Sequence, residues 1–162
     1  MNHPLQKSAS LRRSFLMMLL ALSTAPLDAL AAAAERMMTV WKDPDCGCCA
    51  EWVKHLEKNG FVVKVFDTGN QAIRTQLAVP SKFGSCHTAL IQGYVIEGHV
   101  PAADIQRLIK DQPRALGLAV PKMPIGSPGM DGPEYRGRRD PYEVLLIQKD
   151  GRSSIFSSYN QH

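Results

Sequence analysis

Apolar positions along the chain switch between a period of two and a period near 3.6, and the switches mark out the elements. Met37-Met38-Thr39-Val40-Trp41 is a short β-type run that stops at the turn formers Asp43-Pro44-Asp45. Trp52, Val53 and Leu56 then recur at helical spacing until Asn59-Gly60. Asp45 is the expected N-cap of that helix, and Glu51 falls early in it, where the dipole favours an acid. Residues 61–66 are β-branched and aromatic and read as a second strand. A short helix is expected over 70–77, closed by Pro80. Residues 88–91 and 94–97 flank Gln92-Gly93 in the pattern of a two-residue hairpin, and Pro101 opens an amphipathic helix through Lys110. Six prolines and five glycines crowd 113–141, so no regular element is expected there; a loop of that length tends to be functional or disordered. Residues 143–147 and 154–157, around Asp150-Gly151, predict a final hairpin that extends the sheet or covers an edge.

The predicted order, β-α-β-α-β-β-α followed by a Pro/Gly loop and a hairpin, makes this an α/β chain. With cysteines at the start of the first helix, it resembles the thioredoxin-like fold. That fold makes the first and third strands antiparallel neighbours, which places Cys86 and His87 against Cys46, Cys48 and Cys49. The fourth strand runs back to the same edge, so its exit at Gly98-His99 is expected there too.

The first 34 residues read as an address. Lys7, Arg12 and Arg13 precede an apolar run over 15–25 and an alanine-rich stretch over 29–34. This is the pattern of a secretory signal peptide, with cleavage expected between Ala31 and Glu35. The run is too short to span a bilayer as an anchor. Arg12-Arg13 partly matches a twin-arginine signal, so export is expected by the Sec or the twin-arginine route. What remains, 35–162, is one domain outside the cytoplasm with no membrane association. At 44% hydrophobic and 21% charged, the composition of the whole chain is that of an ordinary globular protein. The whole chain carries +4; the signal segment holds three of the cations and one of the acids, which leaves about +2. Those charges are scattered, so nucleic acid is not an expected partner.

Four cysteines are too few for a disulfide scaffold, yet three fall within four positions of one another. Cys46 and Cys49 form a C-x-x-C at a helix N-terminus, where unpaired N–H groups favour the thiolate, and Cys48 adds a third sulfur. Thiolates so crowded repel one another, and a disulfide relieves only two, whereas a soft cation relieves all three. Copper(I) best matches thiolate and thioether donors, and bridging sulfurs let several copper ions share few ligands. A structural disulfide with a spare thiol is the bland alternative, although it would close almost no loop.

Cys86 and His87 can complete a ligand shell, unless Cys86 pairs with one of the other three cysteines. In thioredoxin-type enzymes a cis-proline stands at this place, and here the nearest proline is Pro80. His99 is a further candidate through the fold. Met123 and Met130 are odd in a Pro/Gly loop unless they pack inward or bind a soft metal. His55 lies roughly 10 Å along the helix from Cys48 and is expected to be solvated. Asp43 and Asp45 are expected to make turn and cap hydrogen bonds, and His162 is a tail residue.

Cys46-Gly47-Cys48-Cys49, Gly84-Ser85-Cys86-His87-Thr88-Ala89, Val95-Ile96-Glu97-Gly98-His99-Val100-Pro101 and Met123-Pro124-Ile125-Gly126-Ser127-Pro128-Gly129-Met130 occur in this order, and residues 37–145 resemble the CopG-type family of bacterial periplasmic copper proteins. The resemblance implies a thioredoxin-like fold, a cysteine-ligated copper site at the C-x-C-C turn and a part in copper resistance. Carried over by motif, its cysteines are Cys46, Cys48 and Cys49, and its Cys-His pair is Cys86 and His87. The expected function is therefore periplasmic binding of copper in a Cys-rich, polynuclear and redox-active Cu(I)/Cu(II) site. Its ligands would come from Cys46, Cys48, Cys49, Cys86, His87, His99, Met123 and Met130, and its partners would be a copper exporter or a periplasmic redox protein. The alternative is a thiol-disulfide oxidoreductase in which Cys46 attacks and Cys49 resolves. A zinc or iron-sulfur site is a third reading, though the paired C-x-x-C spacing of zinc ribbons is missing.

Overall fold

The computed structural model describes residues 36–161; the predicted signal segment, its cleavage zone and His162 lie outside them. Seven strands form a single sheet in the order β2-β1-β3-β4-β5-β6-β7. In chain order the elements are β1 (Met37–Lys42), α1 (Gly47–Lys58), β2 (Val62–Phe66), α2 (Gln71–Gln76), a 3-10 turn (Ser81–Phe83), β3 (His87–Ile91), β4 (Tyr94–Glu97), α3 (Ala102–Asp111), β5 (Gly117–Ala119), a second 3-10 turn (Pro133–Tyr135), β6 (Tyr142–Ile147) and β7 (Ser153–Tyr159).

Strand β1 pairs parallel with β2 and antiparallel with β3, and β3 pairs antiparallel with β4. This is the α/β arrangement expected from the sequence, and it is compatible with a thioredoxin-like unit. The β3–β4 connection takes positive φ at both Gln92 (47°) and Gly93 (82°), the backbone of a tight hairpin turn that suits the twist of the strands.

The stretch 113–141 departs from the expectation of no regular structure. Its residues 117–119 form β5, parallel to β4 and antiparallel to β6, and Pro133–Tyr135 forms a 3-10 turn. Three residues of Gly-Leu-Ala carry no local strand signal. They become a strand because partners on both sides supply the hydrogen bonds that their buried backbone needs. Through β5 the final hairpin joins the sheet, so it extends the sheet and does not merely cover an edge.

Alternation sorts the strand side chains into two cores. Ile96, Leu118 and Val144 join Met38, Val40, Trp52, Leu56, Ile105 and Leu108, so α1 and α3 share one face of the sheet. Their neighbours Val95, Ala119 and Ile147 pack on the other face with Val79 and Phe83. Among the described residues no helix is long and apolar enough to cross a membrane.

Candidate metal centre

The turn before α1 is held from below. Buried Lys42 donates to the carbonyls of Asp43 (3.0 Å) and Pro44 (3.4 Å), and its Nζ lies 2.7 Å from Asp67 Oδ1. Asp43 Oδ1 accepts from the Asp45 N–H at 3.0 Å and Asp43 O accepts from the Cys46 N–H at 3.1 Å, the turn role expected of Asp43. The N-cap is Cys46 and not Asp45, so α1 starts at Gly47 and Glu51 lies past its first turn. Asp45 loses the cap because the Asp43 turn delivers the chain one residue further along, and Glu51 instead pairs with Lys54 at the surface.

Of the three sulfurs in this turn, Cys46 and Cys49 are joined as a disulfide and Cys48 is a free thiol, as is Cys86 just before β3. Cys48 Sγ lies 3.5 Å from Cys46 Sγ, and Cys49 Sγ lies 3.7 Å from the Cys86 carbonyl oxygen. All four sulfurs sit within 4.8 Å of one another. The β1–β3 register explains this: Lys42 opposes His87, so the end of β1 and the start of β3 converge on one corner.

Cys86 is also the meeting point of two imidazoles. Its Sγ lies 3.3 Å from His87 Nδ1 and 3.1 Å from His99 Nε2. The far nitrogen of each ring faces a carbonyl, His87 Nε2 at 2.9 Å from Gly98 O and His99 Nδ1 at 2.8 Å from Pro128 O. A carbonyl oxygen only accepts, so those far nitrogens carry the protons and the near nitrogens present bare lone pairs to the sulfur. Burial, reinforced at His87 by neighbouring His99, holds both imidazoles below the ordinary range and hence neutral. Burial and then the Cys48 sulfur push the Cys86 thiol up to about 12, so in this state it keeps its proton. One S–H can satisfy only one of the two lone pairs aimed at it. The rings are wedged as well: His87 lies 4.1 Å from the Trp52 ring, and the Trp52 indole N–H donates to Val100 O at 2.8 Å.

The Pro/Gly loop closes over this corner. Gly129 has φ +83°, and a Cβ there would fall 2.6 Å from Cys48 O and 2.8 Å from Trp52 N. Only glycine lets the loop lie that close to the first turn of α1. Met130 is buried and its sulfur accepts from Tyr135 Oη at 3.3 Å, while Met123 is 48% exposed. Burial, then Glu134 and Cys48, push the Tyr135 phenol up. His55 is not solvated as expected: it is half-buried, and its Nε2 accepts the Ala102 N–H at 3.1 Å, which caps α3. Its place is fixed by the packing of α1 against α3, which its spacing from Cys48 does not show.

Sequence reading missed a second, buried polar layer behind Cys86. Glu97, fully buried in β4, accepts from the Ser85 N–H (2.7 Å) and the Thr88 hydroxyl (2.6 Å). Arg74 Nε lies 3.0 Å from Glu97 as an ion pair without hydrogen-bond alignment, and Arg74 Nη2 donates to Ser85 O at 2.5 Å. Asn70 Nδ2 reaches Ser85 O and Thr88 Oγ1, both at 3.2 Å. The one signal available in sequence is a carboxylate inside an otherwise apolar strand, Tyr94-Val95-Ile96-Glu97.

Residues 83–130 match the family described as "Protein of unknown function, DUF411", a stretch that includes Cys86, His87, Glu97 and His99. No curated protein matches. Two solved structures do. "Copper resistance protein copG- Form 1" has 43% identity and a TM-score of 0.71, over 77% of this chain and 98% of that one. "Copper resistance protein copG- Form 2" has 44% identity and a TM-score of 0.69, over 76% and 97%. A chain that spans nearly the full length of these proteins at such identity, and that brings sulfur and imidazole donors to one corner, belongs to the CopG family of copper resistance proteins.

Proposed function

We propose that this protein binds copper in the periplasm through Cys48, Cys86, His87 and His99, with Cys46 and Cys49 joining when their disulfide is reduced. The observation that carries this reading is the pair of bare imidazole nitrogens aimed at one thiol. That arrangement suits a cation, which would displace the thiol proton and engage both lone pairs. The carbonyls of Gly98 and Pro128 hold the rings from behind, as outer partners of metal-bound histidines do. Thiolate and imidazole together suit copper, and the solved relatives carry the name copper resistance protein, which supports the copper reading.

A periplasmic dithiol protein giving two electrons and two protons, and itself becoming a disulfide, would open the Cys46–Cys49 bond and raise the available donors from four to six, enough for several bridged Cu(I) ions. The proposal extends to copper cycling between Cu(I) and Cu(II), with a periplasmic redox protein taking or giving the electron, and to handover to an exporter, with the signal segment directing export. Met123 and Met130 are retained as outer donors only where the loop rearranges, because Tyr135 already engages the Met130 sulfur.

Cys48→Ser tests the proposal. Protein purified from copper-fed periplasm should lose most of its copper by elemental analysis while its circular dichroism stays unchanged. Wild-type copper content in that variant would remove the reading. The disulfide at a helix N-terminus favours a second reading, a thiol-disulfide oxidoreductase. There the reduced Cys46 thiolate would attack a substrate disulfide, Cys49 would resolve the mixed disulfide to re-form Cys46–Cys49, the substrate would leave as a dithiol, and an external dithiol would restore the reduced pair. Insulin reduction that persists in metal-free protein would support it.

A further inference from the structure

Cys86 lies just before β3 and not at a helix terminus, so nothing in its own element aims its sulfur. The residues on either side of Cys86-His87 are tied instead to one buried carboxylate. Glu97 takes the backbone N–H of Ser85 on one side and the hydroxyl of Thr88 on the other. Arg74 and Asn70, in and next to α2, take the Ser85 carbonyl from the opposite direction. The main chain of Ser85 is thus gripped at both its N–H and its C=O. Its hydroxyl is held too, donating to the Lys122 carbonyl at 2.5 Å. Gly98, next to Glu97, has φ +73°, and a Cβ there would fall 2.4 Å from Val120 O and 2.5 Å from Ser85 Oγ. Glu97 and His99 therefore flank a residue that lets three chain segments meet, and His99 in turn faces Cys86.

We propose that Glu97, paired with Arg74 and aided by Asn70 at Ser85 and Thr88, is a positioning residue for copper: it fixes the Ser85–Thr88 segment so that the Cys86 sulfur stands between His87 and His99. This rests on the copper reading above. Buried ion pairs are often matters of fold alone, and replacing one partner commonly costs stability whatever the site does. Here the pair contacts the chain immediately before and after the Cys86-His87 pair, so its loss should be felt at the sulfur. Partners behind metal ligands are commonly worth about 10- to 100-fold in affinity.

The test uses the mature chain and competition with a Cu(I) chelator. Glu97→Gln keeps the shape of the side chain but removes its charge. It should weaken Cu(I) binding by about 10- to 100-fold and move the thiolate-to-copper ultraviolet absorption toward that of Cys86→Ser. In a Cys86→Ser background, Glu97→Gln should add almost nothing, because its effect runs through that sulfur. Asn70→Ala removes two hydrogen bonds without stranding a buried charge, and it should shift affinity in the same direction by less; it carries the test if Glu97→Gln does not fold. If Glu97→Gln lowers thermal stability but leaves affinity and spectrum at wild type, Glu97 serves only the fold and the proposal is overturned. Losses that multiply in the double variant would overturn it as well, since Glu97 would then act somewhere other than Cys86. Wild-type affinity in Cys86→Ser alone would instead strike at the copper reading itself.

Discussion

Cys46, Cys48 and Cys49 sit in one turn at the start of α1, whereas Cys86, His87 and His99 come from the ends of two strands and meet only because the sheet brings them together. The turn side is exposed at its tip, although Cys49 is buried and the Pro/Gly loop lies against Cys48. Nothing lies within 4 Å of where a Gly47 Cβ would be, and two of the three sulfurs there are already in a bond that a reductant can undo. The strand side is buried and locked: both histidines are inaccessible to solvent, each ring is held by a carbonyl, and Glu97 holds the chain beneath Cys86. The difference separates two jobs. The half that can change covalent state is partly exposed, and the half that must keep its geometry is buried and held from several segments.

The contrast is broken most severely at Gly98. Gly98→Ala places a methyl group against Val120 O and Ser85 Oγ in a left-handed backbone, so a loss of about 2–4 kcal/mol is expected from strain and overpacking together. Urea unfolding of the metal-free protein would show it. Gly129→Ala attacks the seam between the loop and the turn. Its methyl would meet Cys48 O and Trp52 N, with an expected cost of about 2 kcal/mol and, because Pro128 is the next residue back, about tenfold weaker copper retention. A stable Gly129→Ala variant with full copper affinity would show that the loop is not part of the locked half.

His55 offers a milder probe that uses pH. Burial lowers its pKa below the usual 6.5, and so it does for His87 and His99. The unfolded chain then binds more protons than the folded one between the two pKa values. The stability these groups contribute is full above pH 6.5 and is lost as pH falls from 6.5 through their lowered folded values. The contribution of these histidines to the melting temperature of metal-free protein should therefore be flat above that point and fall below it, while the raised Cys86 thiol lowers stability only at alkaline pH, once the unfolded thiol ionises. His55→Ala should cost about 1 kcal/mol, as loss of a cap does, and make the fall shallower. Gly47→Ala should change stability by no more than about 0.5 kcal/mol, because the added methyl meets open space on the surface. A large loss there would mean that the turn is as tightly built as the strands.

How much of this could be read from the chain follows the same division. The turn sulfurs are contiguous, so their grouping and their place at a helix start were visible in Cys46-Gly47-Cys48-Cys49. The convergence of Cys86, His87 and His99 was reachable only through strand order, and the β1–β3 and β3–β4 pairings deliver it. What could not be read depends on contacts between distant segments. The strand β5 needs two neighbours to exist, the cap on α3 comes from His55 on another helix, and the N-cap passed to Cys46 once the Asp43 side chain tightened the turn. The bond between Cys46 and Cys49 was one of the readings the sequence left open, because spacing alone fits a thiolate cluster as well as a disulfide.

The orientation of His99 rests on an oxygen of the main chain at Pro128. A contact of that kind carries no side-chain identity, and any replacement that leaves the path of the chain intact preserves it. A scan of single substitutions across 124–130 would thus score residue 128 as tolerant of almost anything. Adding or deleting one residue in that stretch would move the oxygen away from the ring, so at Pro128 itself it is the length of the loop, more than the side chain, that has to be kept.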